Sequence, residues 1–587
     1  MAITSDAYLS TPLTAAAAEP APAEDAAAQP DRVGVVFVHG IGAQPAAETF
    51  LDWSAPIVEL LADWRAEHGL AADPVVRSEF SFSGSSQPFL ELDIPAHAGR
   101  PAARWVLTEA WWAAEVRPQR LRAVIGYVRR GLPRILGGLR DAYLEREASW
   151  DSRLAREHVA ANQAAGAARD EETKEQAALI ARTTAPGAGW AWVEVLDSIQ
   201  RRLSILAIAP AVVVGSAILL LYSLLELVPI SRIRRFAVLR QAESFMTDWF
   251  GDLPTLLDDR VQSANIRARL ANAIARLESD GCGRIVLVAH SGGAIVSFMT
   301  LLDPAYARRR VDKLITLGQG LSVAWRLVDA AAGLPTGHRL TGDLTAARST
   351  LRWADYWASY DPAPAGSMKP PPGVTARVES FPVTNRMNLV EDHGAYWSND
   401  EGFVMPVLRH IDSADRDTDE SRFFRNGGLR ISRIEWRRQR VGVLAAWRWL
   451  VGIAAVVVIG AAVIVEIVGL PGSDAGLGRL SRAVGAWLGT VPGSELVATV
   501  IAALERAGLW PAALLTWVVG VIAAALPFVV LGRLGGAAWT RWDDAERRRA
   551  HRRILQLPDR QRAWLVAGTF VIGLAALTVV IGRYLLA

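Results

Sequence analysis

Arg284-Ile-Val-Leu-Val-Ala-His-Ser-Gly-Gly-Ala294, continued by Ile295-Val-Ser-Phe-Met-Thr-Leu-Leu302, is the stretch that decides how this chain folds. Arg284 to Ala289 is a short run rich in β-branched side chains, which suits a strand buried on both faces. Residues 295–302 suit a helix packed on the resulting sheet. Between them lies a tight turn of the form small-x-Ser-x-Gly, the pattern of a nucleophile elbow. So sharp a turn needs small residues two before and two after the serine, and these are Ala289 and Gly293. It lifts Ser291 Oγ above the sheet and aims the Gly292 amide at a developing oxyanion. Ala289 stands where the usual pattern has glycine, a sterically mild departure.

Upstream, Leu256–Ser279 carries apolar residues at helical spacing, and Gly281 and Gly283 stop it. Much earlier, Val33-Gly-Val-Val-Phe-Val38 is a second buried-strand pattern, ending in His39-Gly40-Ile41-Gly42. A glycine-rich turn at the carboxyl end of a strand is where open α/β sheets place their sites. On its own it is also an ordinary strand-to-helix turn.

Downstream, a serine nucleophile needs a base, and the base needs an orienting acid, in the chain order Ser, Asp or Glu, His. Strands are predicted at Lys313–Leu317, Leu351–Ser359 and Val374–Val383. The second ends in Tyr360-Asp361-Pro362, and the third is followed by Glu391-Asp392-His393-Gly394-Ala395-Tyr396. Four histidines follow Ser291: His338, His393, His410 and His551. His338 comes too early, His410 falls on a final helix, and His551 lies among arginines. His393 is therefore the candidate base. Asp361 is the candidate acid, with Asp355, Glu391 and Asp392 as rivals.

Val35–Gly42, Ile285–Gly293, Asp361-Pro362 and Asp392-His393 together resemble the α/β-hydrolase superfamily, most of all small bacterial lipases. The resemblance covers the frame of residues 31–435. It implies an α/β fold, a mostly parallel sheet with helices on both faces. It further implies Ser291 as nucleophile, His393 as base, Asp361 as orienter, and the amides of Ile41 and Gly292 as the oxyanion hole. His39, Gly40, Gly42, His290 and Gly293 would support these motifs. Esters, thioesters and activated amides all fit such machinery, so the family does not choose among them.

Composition adds a second theme. Of 587 residues, 51% are hydrophobic and 21% charged, and mean hydropathy is +0.19, too apolar for an ordinary soluble enzyme. The single Cys282 excludes an intrachain disulfide and a cysteine-based zinc cage. A net charge of +3 offers no global field for nucleic acid. Lysine occurs only at 174, 313 and 369, and the Arg, Ala and Gly bias fits a GC-rich bacterial genome. No metal cluster, phosphate-cradling loop or dinucleotide fingerprint is present, so no cofactor is expected.

Residues 1–30 are an Ala/Pro-rich tail, expected to be disordered, with no secretory signal. Residues 441–587 hold apolar runs at about 447–470, 511–532 and 563–585, each long enough to cross a hydrocarbon core of roughly 30 Å. The loop between the last two carries nine Arg against four acids, and Arg430, Arg433, Arg437, Arg438 and Arg440 precede the first. By the positive-inside rule the catalytic region faces the cytoplasm from a bacterial inner membrane.

A further apolar run, 203–229, interrupts the hydrolase region. Ile41 and Ser291 must share one site, so the chain between them crosses the bilayer an even number of times. One straight helix of that length reaches about 40 Å, enough for one crossing but not two. A re-entrant or membrane-dipping insert is the expectation, with a buried core helix, or a helix packed on the three membrane spans, as the alternative. Leu121–Leu139 is an Arg-flanked amphipathic stripe, a second candidate lipid contact. The whole reads as a membrane-bound serine hydrolase of carboxylic esters, lipid or other acyl esters among them. A non-catalytic scaffold or sensor and an acyltransferase are the alternatives.

Overall fold

The run Asp31–Val38 forms strand β1, and its side chains divide with period two between the faces of a sheet. Val33, Val35 and Phe37 enter one apolar core, Val36 and Val38 another. Each such side chain contributes roughly 1.5–3 kcal/mol on burial, so a strand apolar on both sides is held firmly at the sheet centre.

The computed structural model describes residues 30–116 apart from 43, 72, 80–86, 98 and 99, together with 137, 197–202, 252–332, 340–387, 391–413 and 421–423. The tail 1–29, the 121–139 stripe save Gly137, the 203–229 insert and the 441–587 region lie outside the described residues. Among the described residues no helix is long and apolar enough to cross a membrane.

After β1 come helix α1 (Glu48–Glu67) and strands β2 (Val75–Glu79), β3 (Phe89–Ile94) and β4 (Ala103–Glu109). Helices α2 (Asp252–Leu257) and α3 (Arg260–Ser279) lead to β5 (Arg284–His290), α4 (Gly292–Leu302) and β6 (Lys313–Leu317). Then follow α5 (Leu321–Ala332), β7 (Gly342–Asp343), α6 (Leu344–Ala347), β8 (Arg352–Ala358), β9 (Val374–Thr375), β10 (Val378–Val383) and α7 (Met405–Asp412). Eight strands form one sheet in the order β10-β8-β6-β5-β1-β4-β3-β2. All neighbours are parallel except that β3 runs against both β2 and β4. Residues of α3 and α4 pack in the core of Val36, and residues of α1 and α7 in the core of Phe37. This is an α/β architecture with helices on both faces.

β1 lies between β4 and β5, so the chain leaves β1 toward one edge and returns to its other side. The crevice beyond the carboxyl ends of β1 and β5 is thus a topological switch point. His39 and Ser291 are the residues that follow those two ends.

Two sequence expectations need correction. The helix expected over 256–279 starts earlier and is broken. Asp259 takes an extended conformation and accepts from the amides of Val261 and Gln262, ending α2 and capping α3. The strand expected over 374–383 is two pieces: β9 pairs with β7 in a separate small sheet, and β10 joins the main one.

Candidate active site

Ser291 sits between β5 and α4 with φ 51° and ψ −119°. A non-glycine residue in that region costs on the order of 1–3 kcal/mol and persists only where its surroundings enforce it. Here the enforcement is visible. The Ser291 amide donates to Leu317 O at 3.1 Å, and its carbonyl accepts from Gly320 N at 2.9 Å. A Cβ on Gly293 would stand 2.3 Å from Val38 O and 2.5 Å from His39 O, so only glycine fits there. Both β1 and β6 therefore clamp the elbow, and Ser291 ends up 5% exposed.

Asp361 follows β8, and His393 lies in the loop after β10. His393 Nδ1 is 2.9 Å from Asp361 Oδ1 and 3.1 Å from Oδ2. Burial opposes charge on Asp361, but the His393 ring, the Ala363 amide and the Tyr396 hydroxyl outweigh it, holding the carboxyl below its ordinary value. An ionised Asp361 accepts the Nδ1 proton, which turns Nε2 into the nitrogen able to act as base. The Tyr396 hydroxyl donates to Asp361 Oδ2 at 2.8 Å and accepts from Ala358 N at 2.8 Å. Gly318, with φ +52°, floors this corner: a Cβ there would be 2.7 Å from Asp361 Oδ2 and 3.1 Å from His393 Nδ1.

His290 braces His393. Its Nε2 lies 2.9 Å from His393 O, and the two rings are 4.5 Å apart. Burial, together with the His393 ring, pushes His290 down to about 3, so it stays neutral and donates from Nε2. Ser291 and His393 thus meet the same β6 turn, Leu317 to Gly320. Among the described residues the Ser291 hydroxyl itself makes no hydrogen bond to the imidazole. Such contacts are often long without substrate and tighten on binding.

The rivals are now placed. Asp355 points away from His393, accepting from Thr316 and Ser380 hydroxyls at 2.7 and 2.6 Å. Asp392 is fully buried and takes the amides of Tyr360 and Arg386, closing the loop rather than orienting a base. Glu391 accepts from Gly394 N through its backbone carbonyl. His410 lies on α7, as expected. His338 and His551 lie outside the described residues.

The β1 turn completes the arrangement. A Cβ on Gly40 would be 2.9 Å from Ser291 Cβ, and one on Gly292 would be 2.5 Å from Ile41 Cγ2 and 3.2 Å from Ile41 N. The Ile41 and Gly292 amides therefore lie close together, and neither meets an acceptor among the described residues. His39 turns out to be a brace. It stacks on Trp112 at 4.6 Å, and its Nε2 accepts from the amides of Trp112 (2.9 Å) and Ala113 (3.3 Å). That puts its proton on Nδ1, 2.8 Å from Gly40 O, and full burial lowers its pKa to about 4. Gly42, with φ +121°, donates its amide to Asp252 Oδ2 at 2.8 Å.

No protein-family model, curated protein or solved structure matches the chain. The geometry brings a strained serine, an imidazole bonded to a carboxylate and two neighbouring amides to one end of the sheet.

Sequence reasoning missed three residues that hold this site. Tyr396 lies three positions after His393, a local signal that drew no role. Asp252 and Glu109 had no local signal, because their partners are 210 and 62 residues away. Among the described residues no group of three or more His, Cys, Asp or Glu is placed to hold a metal ion. A cavity of about 1020 Å³ opens elsewhere, lined by Arg284, Lys313, Arg352 and His410 among others, at the amino ends of β5, β6 and β8. It includes none of Ser291, Asp361 and His393 and lies at the end of the sheet where open α/β folds do not place their ligands.

Proposed function

We propose that this chain is a membrane-tethered serine hydrolase of the α/β-hydrolase type, cleaving carboxylic esters of lipids or other acyl compounds. The observation that carries the reading is Ser291, held at positive φ at the same sheet end as the Asp361–His393 pair. In the proposed reaction Ser291 Oγ attacks the acyl carbonyl as His393 Nε2 takes its proton. Negative charge on the carbonyl oxygen is met by the amides of Ile41 and Gly292, each worth roughly 3 kcal/mol in the transition state. His393 then protonates the leaving alcohol, giving an acyl-serine. Water, deprotonated by the same imidazole, releases the acid. Asp361 stabilises the imidazolium in both halves.

The membrane part of the proposal rests on sequence. Three apolar C-terminal runs would tether the domain to the inner membrane with the catalytic end on the cytoplasmic side, and the 203–229 run would bring its mouth toward lipid. The test is hydrolysis by the full chain in detergent and in vesicles, across esters of increasing acyl length. Acid release that depends on Ser291 is expected; a Ser291→Ala variant that still turns over sinks the assignment.

A further inference from the structure

We propose that Asp252 is a positioning residue of the oxyanion hole, an inference that rests on the hydrolase reading above. The loop from His39 to Ala47 is braced on one side by the end of β4 and the turn after it. There Glu109 Oε2 accepts from Ala47 N at 3.0 Å, Trp111 Nε1 donates to Gln44 O at 2.9 Å, and His39 engages Trp112 and Ala113. Asp252 comes from a different element. It opens α2, whose Leu253, Leu256 and Leu257 are buried in the same core as Val38 and Ile295. That burial anchors the helix to the sheet and delivers the carboxylate to Gly42.

The consequence follows from peptide geometry. Fixing the Gly42 N–H fixes the plane of the Ile41–Gly42 peptide, because the peptide unit is rigid. On the other side of Ile41, Gly40 is pressed against Ser291 Cβ. Ile41 is thereby restrained from both ends, and with it the direction of the amide paired with Gly292. Gly42 itself holds φ +121°, a conformation that the bond to Asp252 helps to select. An oxyanion donor works only within about 2.7–3.1 Å of the developing charge. Loss of the Asp252 acceptor should therefore weaken transition-state binding while leaving ground-state binding of the ester almost untouched.

The experiment is hydrolysis of p-nitrophenyl butyrate by the full-length protein in detergent, comparing wild type with Asp252→Ala, Asp252→Asn and Ser291→Ala. Rates of the wild type and the two Asp252 variants are normalised to the fraction of protein that a fluorophosphonate labels at saturation, which removes misfolded material; the rate of Ser291→Ala, which carries no label, is taken per amount of protein that elutes with wild type in gel filtration. Asp252→Ala should lower kcat about 10- to 100-fold with KM within about 2-fold. Asp252→Asn keeps an acceptor oxygen and should restore kcat to within about 5-fold of wild type, short of full recovery because the charged acceptor is the stronger one. An unchanged kcat in Asp252→Ala overturns the inference, as does a loss seen wholly in KM or one that Asn does not restore. If Ser291→Ala is inactive and Asp252→Ala is not impaired, the hydrolase reading stands and only the role of Asp252 falls. Turnover that survives Ser291→Ala removes both.

Discussion

Two buried histidines at opposite ends of the sheet differ in the neighbour that faces each ring. His410, on α7, accepts from Lys313 Nζ at 3.2 Å on Nδ1 and contacts the Tyr356 hydroxyl at 2.8 Å through Nε2. Burial, then the Lys313 and Arg409 cations, push it down to about 3. His393 instead faces the carboxylate of Asp361, and His290, the residue before Ser291, contacts the His393 carbonyl at 2.9 Å. Burial is similar at 8% and 9% exposure, so burial does not distinguish them. The neighbour does: Lys313 Nζ donates to the Nδ1 lone pair of His410, whereas the Asp361 carboxylate accepts from Nδ1 of His393 and so leaves that ring's lone pair on Nε2.

The comparison breaks most sharply under substitution of the two rings. His393→Ala should lower kcat/KM for an activated ester by about 10⁴-fold or more, as loss of a base does in such triads. His410→Gln should leave kcat/KM within about 3-fold while costing roughly 1–3 kcal/mol of stability, since it disrupts a buried hydrogen-bonded cluster. Equal losses from both, measured by ester turnover and chemical unfolding, would erase the distinction.

The acids sharpen it next. Asp361→Asn should cost about 10³- to 10⁴-fold in kcat, because the amide favours the wrong tautomer of His393. Asp355→Asn should keep most activity, as that carboxyl bonds only Thr316, Ser380 and the Met368 region and is already pushed up to about 6 by burial. Steady-state kinetics of the two variants decides between them.

These contrasts also mark what the sequence could and could not reveal. The elbow was legible because its constraints are local: Ala289, Ser291 and Gly293 fall within five residues of one another, between a strand and a helix. The parallel strands β1, β5, β6 and β8 were legible as apolar runs, because burial on both faces leaves no polar alternation. The reversed strand β3 was not foreseen, since strand direction depends on partners that β2 and β4 supply. Sequence favoured Asp361 by its place after a strand but left Asp355, Glu391 and Asp392 as rivals. Asp361, Asp355 in mid-β8 and Asp392 in the loop of His393 are all buried, and their partners separate them. The brace role of His39 was equally hidden, because Trp112 is 73 residues away.

A smaller effect is expected at Tyr396. Tyr396→Phe removes one donor to Asp361 and should lower kcat about 3- to 10-fold, in line with roughly 1 kcal/mol for such a bond. A full rate in the phenylalanine variant, read in the same assay, would show that His393 and the Ala363 amide order the carboxylate without the tyrosine.

The smallest effect concerns pH and the loop anchor. Burial raises Glu109 to about 7, from an ordinary value near 4.5. Its contribution to stability is therefore full below about 4.5 and is lost as pH rises through 7. Glu109→Gln mimics the protonated form and should raise stability at pH 8 by about 1–3 kcal/mol, with little change at pH 5. His39 runs the other way. Its folded value of about 4 lies below 6.5, so its contribution is full above 6.5 and is lost as pH falls toward 4. Thermal unfolding of wild type and Glu109→Gln at both pH values checks the sign.

The most direct test of the central claim is fluorophosphonate labelling of the full-length protein in membranes, with the modified residue located by mass spectrometry. One adduct is expected, on Ser291; it should disappear in Ser291→Ala, form much more slowly in His393→Ala and persist in His410→Gln. Labelling elsewhere, or a folded wild-type protein that stays unlabelled with and without added lipid, would contradict it.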